Sequence, residues 1–237
     1  MSHPITKKLD SEIAKYNKPA NCINYQRWFK EKLKYPVGLK TEFLKKISSE
    51  CYRDIKSLPK KEILELCNEL FVTDKQHYRY FANDWTLRLK DQLDKSDFPM
   101  YVRWLSKYAD NWGTTDVLAG GPIGIILDRH PELYKQTGKW VTSPNRWLRR
   151  AAAVCLIPAI KNRNLLKNVF EITDMLHLDD DEMVQKGYGW MLKEAANQFP
   201  DEVFDFVIAR KDRMPRTALR YAIEKYPPAL KKKAMAK

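Results

Sequence analysis

The chain has 237 residues, 44% hydrophobic and 31% charged, a balance that excludes disordered and membrane-spanning classes and supports a sizeable core. Its 43 Lys and Arg outnumber 30 Asp and Glu, and the net charge of +13 creates a positive field suited to a polyanionic partner such as nucleic acid. Cys22, Cys51, Cys67 and Cys155 form no C-x-x-C pair and the four His show no ligand spacing, so no disulfide, metal site or cofactor is expected.

In chain order, helical periodicity and its punctuation place helices near 9–16, 22–34, 41–56, 59–71, 76–92, 97–108, 112–128, 131–137, 145–159, 163–175, 180–198, 201–210 and 214–225. Asp10 and Ser11 open the first, Pro131 and Pro215 fall at N1-like positions, and Pro200 follows a helix. No segment alternates apolar and polar residues as a strand does, and Val154–Ile157 sits inside a helical pattern. The expected class is all-α. Many short amphipathic helices suit a helical-repeat solenoid with a period of about 30 to 45 residues, with an irregular bundle as the alternative.

One domain over residues 1–230 is expected, followed by a frayed basic tail at 231–237. No stretch approaches the ~20 apolar residues that span a bilayer, and Met1–Lys8 has no apolar signal core. A cytoplasmic monomer without membrane contact is the expectation.

Four stretches carry candidate functional residues. Asn24–Lys30 interleaves aromatic and basic residues; Trp28 and Phe29 are read as core, while Tyr25 suits core or cleft. Asn111 is a natural N-cap, so Trp112 and Asp116 emerge one turn apart on one face. Residues 117–127 carry no further charge, which leaves Asp116 as either a first-turn acid favoured by the helix dipole or a functional carboxylate.

In the helix near 145–159, Leu148, Ala152, Cys155 and Ala159 form a core stripe, and Arg146 and Arg150 lie on the far side. Two planar guanidinium forks there suit phosphate oxygens, or simply solvent. In the helix near 180–198 the core stripe is Val184, Tyr188, Met191 and Ala195. Lys186, Trp190, Lys193 and Asn197 share the opposite face, where an indole packs on a neighbouring helix or meets a partner.

These residues together resemble the AlkD-type DNA alkylation repair glycosylases, a family of HEAT-like helical repeats. Leu176-His177 and Val184–Glu194 are similar to the family's Q-K-x-x-G-W-x-L-[KR]-E helix, and Asn145–Ala152 to its W-L-x-R-A-A motif. Trp112 to Asp116 keeps the tryptophan and aspartate spacing, with Gly113 and Thr115 where the family often has an acid and a valine. Before residue 100 the likeness rests on Tyr25 and Leu44–Ile47.

The resemblance implies a HEAT-like solenoid whose concave basic face holds duplex DNA, and hydrolysis of the N-glycosidic bond of N7-alkylguanine and N3-alkyladenine. It makes Asp116 the catalytic carboxylate, Trp112 and Trp190 walls around the damaged nucleotide, Tyr25 a third aromatic, and Arg150 a phosphate contact. Arg146, Arg149, Lys186, Lys193 and Arg216 complete the expected DNA-binding set. The rival is a non-catalytic helical-repeat scaffold for nucleic acid or an acidic protein, which needs the charge and not Asp116.

Overall fold

The structure is a computed structural model that describes residues 3–33, 35–36, 38–73, 75–160 and 165–236. Lys34 at the end of the expected helix 22–34, residues 163 and 164 at the start of 163–175, and Lys237 of the tail lie outside the described residues. The described residues form helices and one isolated bridge between Tyr35 and Lys75, without a strand. The chain divides into two compact units, Met1–Leu93 and Asp94–Lys237.

The first unit holds α1 (Pro4–Tyr16), α2 (Pro19–Gln26), α3 (Thr41–Ile55), α4 (Lys60–Phe71) and α5 (Gln76–Arg88). Apolar residues four apart build its core: Leu9 and Ile13 on α1, Ile47 and Cys51 on α3, Ile63, Cys67 and Phe71 on α4, Phe81 and Trp85 on α5. Through these stripes α1 packs on α3, and α5 on both α3 and α4. The indole of Trp85 donates to the Ser48 carbonyl at 3.2 Å, so the buried ring leaves no donor unsatisfied.

Helix α2 stops at Gln26, eight residues short of the expected end, because the Gln26 side chain organises a different exit. Its Nε2 donates to the Phe29 and Glu31 carbonyls at 3.2 and 2.8 Å, and its Oε1 accepts from Leu33 N at 3.0 Å. Those bonds satisfy backbone groups that a continued helix would have paired. The resulting loop leaves Trp28 73% exposed, which corrects its reading as core.

The second unit comprises α6 (Phe98–Tyr108), α7 (Trp112–Leu118), α8 (Gly124–Arg129), α9 (Tyr134–Thr137), α10 (Arg146–Val154), α11 (Leu166–Leu176), α12 (Glu182–Ala196), α13 (Pro200–Ile208), α14 (Arg216–Ala222) and α15 (Pro228–Met235). The expected helix 112–128 is interrupted at Ala119–Ile123, where Gly121 takes φ −97°, ψ −112° and Pro122 has no N–H to donate. Residues 231–235, read as frayed tail, instead continue α15, with Ala234 buried.

Helix α12 is the hub of this unit and packs against α10, α11, α13 and α14. Its stripe of Val184, Tyr188, Met191 and Ala195 is fully buried, as the periodicity indicates. Gly189 permits the close approach of α14: a Cβ there would stand 2.7 Å from Tyr221 Cβ and 2.8 Å from the Ala218 carbonyl oxygen. Any side chain at that position would force the two helices apart.

Candidate active site

Helix α7 begins where the sequence indicates. Asn111 takes an extended backbone and its side-chain oxygen accepts from Thr114 N at 2.9 Å, an N-cap that fixes the start of the helix. Thr115, in the place of the family's valine, is fully buried and has the same branched shape. Its hydroxyl donates back to the Asn111 carbonyl at 2.8 Å, so the extra oxygen is satisfied within the turn. The cap thus sets Trp112, half-buried, in the first turn and Asp116 one turn later, its side chain only 14% exposed.

Asp116 meets Arg150 of α10 in a two-point ion pair. Arg150 Nε donates to Oδ1 and Nη2 to Oδ2, each at 2.7 Å, the parallel geometry a carboxylate and a guanidinium fork favour. The third nitrogen, Nη1, donates to the Met183 carbonyl at 2.5 Å, in the first turn of α12. One arginine therefore ties α7, α10 and α12 together. Burial pushes the Asp116 carboxyl above the ordinary carboxylate value, and the hydrogen bonds and charge of Arg150 oppose that rise.

Arg150 was expected to project into the open, opposite its helix's core stripe; it is only 6% exposed. Helix α10 is covered on both sides, by α6 and α7 and by α12, so its far side is an interior as well. Leu148, placed on the core stripe by periodicity, is half-buried, and Trp147 beside it is buried.

The other cations expected to face DNA also have acidic or carbonyl partners. Arg146 reaches Asp181 at 2.8 Å, and Arg149 pairs with Asp179 at 2.6 Å while Nη1 donates to the Ser143 carbonyl at 2.9 Å. Asp181 in turn caps α12, accepting from Met183 N at 2.8 Å and Val184 N at 3.3 Å. Lys186 pairs with Glu182 at 2.8 Å and Lys193 with Glu224 at 3.1 Å, while both Arg216 forks reach the Met235 carbonyl at 3.3 Å.

Trp190 is half-buried, and its Nε1 donates to Glu194 Oε1 at 3.1 Å. Glu194 also accepts from Asn197 Nδ2 at 3.0 Å and lies 3.9 Å from Lys225 Nζ. The face of α12 read as basic is therefore a lattice of opposite charges with an indole set in it. Tyr25 belongs to the first unit, is 39% exposed and tilts against Phe29 at 5.3 Å between ring centroids.

The second unit thus brings Asp116 and Arg150 into direct contact and anchors Trp190 through Glu194. Sequence reading missed the acids that neutralise the arginines, although the run Asp179-Asp180-Asp181 before α12 is a visible N-cap signal. It also missed the Met183 carbonyl, which no side-chain pattern can reveal. Among the described residues no cluster of three or more metal-ligating side chains forms.

Residues 9–226 match the model of a family described as DNA alkylation repair enzyme. No curated protein matches the chain. Among solved structures, the chain is similar to a predicted DNA alkylation repair enzyme from Enterococcus faecalis, with TM-score 0.75 and 15% identity over 90% of this chain and 98% of that one. It is also similar to AlkD2 from Streptococcus mutans, with TM-score 0.58 and 20% identity over 78% of this chain and 90% of that one. A third likeness is to smu.31 from Streptococcus mutans UA159, with TM-score 0.52 and 20% identity over 81% of this chain and 91% of that one. At these identities the solved structures establish the shared all-α helical-repeat fold, and the match over residues 9–226 establishes the family. The chain belongs to the DNA alkylation repair enzyme family.

Proposed function

We propose that the protein is a DNA N-glycosylase that removes cationic N-alkylated purines, N7-alkylguanine and N3-alkyladenine, from duplex DNA. The observation that carries this reading is the buried carboxylate of Asp116, held at both oxygens by Arg150 on a helix with no other charge. A two-point arginine keeps a desolvated carboxylate ionised and aimed, which is costly to arrange and suits a group that must meet positive charge.

The chemistry needs little more. Alkylation makes the base a cationic leaving group, so the bond between C1′ and the base nitrogen breaks with its electron pair passing to the base, which becomes neutral. Positive charge then develops on the sugar. Asp116 stabilises that oxocarbenium-like centre, water adds to C1′, and the proton released passes to the carboxylate or to solvent. The indole faces of Trp112 and Trp190 favour the same cation. Stabilisation that grows with the charge on the sugar accelerates the chemical step, whereas equal attraction before and during bond cleavage would not.

Tyr25, Lys186, Lys193 and Arg216, with the remaining donors of Arg146, Arg149 and Arg150, are the proposed DNA contacts, supported by the +13 charge. The test is incubation of the purified protein with methylated duplex DNA and chromatography of the supernatant. Release of free methylpurines supports the assignment; DNA binding without release leaves the non-catalytic scaffold.

A further inference from the structure

In reaching both Asp116 on α7 and the Met183 carbonyl on α12, the Arg150 side chain lies across the surface of α12. The surface it crosses is Gly187. A Cβ built on Gly187 would stand 2.9 Å from Arg150 Cγ, 3.5 Å from its Nη1 and 3.6 Å from its carbonyl oxygen. Contact at 2.9 Å is closer than carbon atoms tolerate, and Cγ sits near the root of the side chain, where yielding would swing the whole guanidinium.

Glycine in the middle of a helix is itself destabilising relative to alanine, so its presence there has to be explained by something else. Gly187 has no unusual backbone conformation to provide, since no glycine described has positive φ. Its neighbour Gly189 faces α14 and accounts for that packing. Gly187 faces α10 and touches only Arg150 among the nearest atoms. In the family helix quoted above, it occupies a position the motif leaves open.

We propose that Gly187 is a positioning residue: its missing side chain forms the channel through which Arg150 reaches and aligns the Asp116 carboxylate. The inference rests on the catalytic reading of Asp116, and it concerns how that group is held. A displaced guanidinium loses the parallel alignment with both carboxylate oxygens, and with it the orientation of the charge toward the sugar. Misplacement of a catalytic group by about 1 Å costs on the order of 10²-fold in rate.

The experiment is a double-mutant cycle of Gly187→Ala and Arg150→Ala, read by single-turnover base release, by equilibrium binding to undamaged duplex and by urea unfolding. Gly187→Ala alone should slow release by roughly 10²-fold, a far larger change than any loss of duplex affinity through the displaced donors of Arg150. In the Arg150→Ala background, where Cγ is gone, the same substitution should slow release no further. Stability should change sign across the cycle: Gly187→Ala destabilises the wild type and stabilises the Arg150→Ala protein, because only helix propensity then remains.

A wild-type rate for Gly187→Ala, or an equal further loss in both backgrounds, overturns the proposal. Should Gly187→Ala fail to fold, recovery of folding in the double variant supports it and continued failure overturns it. If the wild type releases no base, the glycosylase reading falls, and the unfolding cycle still decides the Gly187 assignment: the change of sign supports it, additivity overturns it. Gly189→Ala provides the contrast, since its cost arises against α14 and should add to that of Arg150→Ala.

Discussion

The Trp190 indole nitrogen donates to Glu194 Oε1 at 3.1 Å, one turn further along α12, so the ring is held by the same helix that carries it. Asn197 and Lys225 fix Glu194 in turn. An aromatic wall anchored in this way presents a face of set orientation, which is what attraction to a developing cation requires.

Trp190→Ala is therefore expected to slow excision more than it lowers stability. A fully buried tryptophan loses about 3–5 kcal/mol on truncation, and the half-buried Trp190 should lose less. Single-turnover base release and urea unfolding of the same preparation check this. A large stability loss with a normal rate per folded molecule would make Trp190 a packing residue.

Asp116→Asn removes the charge and keeps the shape. Excision of methylated purines should fall by roughly 10² or more, the effect of removing a preorganised electrostatic group. Affinity for undamaged duplex should hold or rise, because a carboxylate repels the polyanion until the sugar becomes positive. Equal rates for both proteins would discard the mechanism. The variant should also be less stable, by up to about 3–5 kcal/mol, since Arg150 keeps its burial and loses its counterion.

Arg150→Ala leaves Asp116 buried without its partner, so the carboxyl should rise further above its ordinary value. The native state then holds the proton to higher pH than the unfolded chain does. A carboxyl raised on folding favours the native state when protonated, and that advantage is lost as pH rises from the ordinary carboxylate value through the native one. The destabilisation by Arg150→Ala should accordingly be greater at neutral than at mildly acidic pH, and the acid limb of the excision profile should move to higher pH. Urea unfolding at both pH values, with rates across the range, decides; a pH-independent loss would remove Arg150 as the group that holds Asp116 ionised.

Duplex affinity should fall with log salt along a straight line whose slope counts the phosphates neutralised. Arg149 spends its charge on Asp179 at 2.6 Å, so Asp179→Asn should strengthen binding and steepen the slope by about one contact. It should also weaken the α10 to α12 junction, where Asp179 accepts from Asp181 N at 3.0 Å. Titrations of both proteins over a range of salt provide the test. An unchanged slope would place Arg149 outside the interface.

Periodicity determined a good deal without any structure. The stripe of Val184, Tyr188, Met191 and Ala195 is buried as read, because a helix with one apolar face has only one way to hide it. Asn111 caps α7 and Pro200 follows the end of α12, since caps and proline act on their own neighbours. The same local logic failed at Trp28, where one glutamine side chain replaced the next turn of helix. It failed again at residues 112–128, where Gly121 and Pro122 break the run.

What the sequence by itself determined was the all-α class, the apolar face of most helices, and the motifs that resemble AlkD-type proteins. What only the tertiary structure decided was the fate of the opposite faces. Arg150 and Asp116 are 34 residues apart, and Arg149 and Asp179 are 30 apart. Nothing local to either member of such a pair reveals the other, because the spacing of residues along a helix sets which way a side chain points but not what stands there. Packing of α10 between α7 and α12 turned an apparently solvated arginine into the buried partner of the candidate catalytic carboxylate.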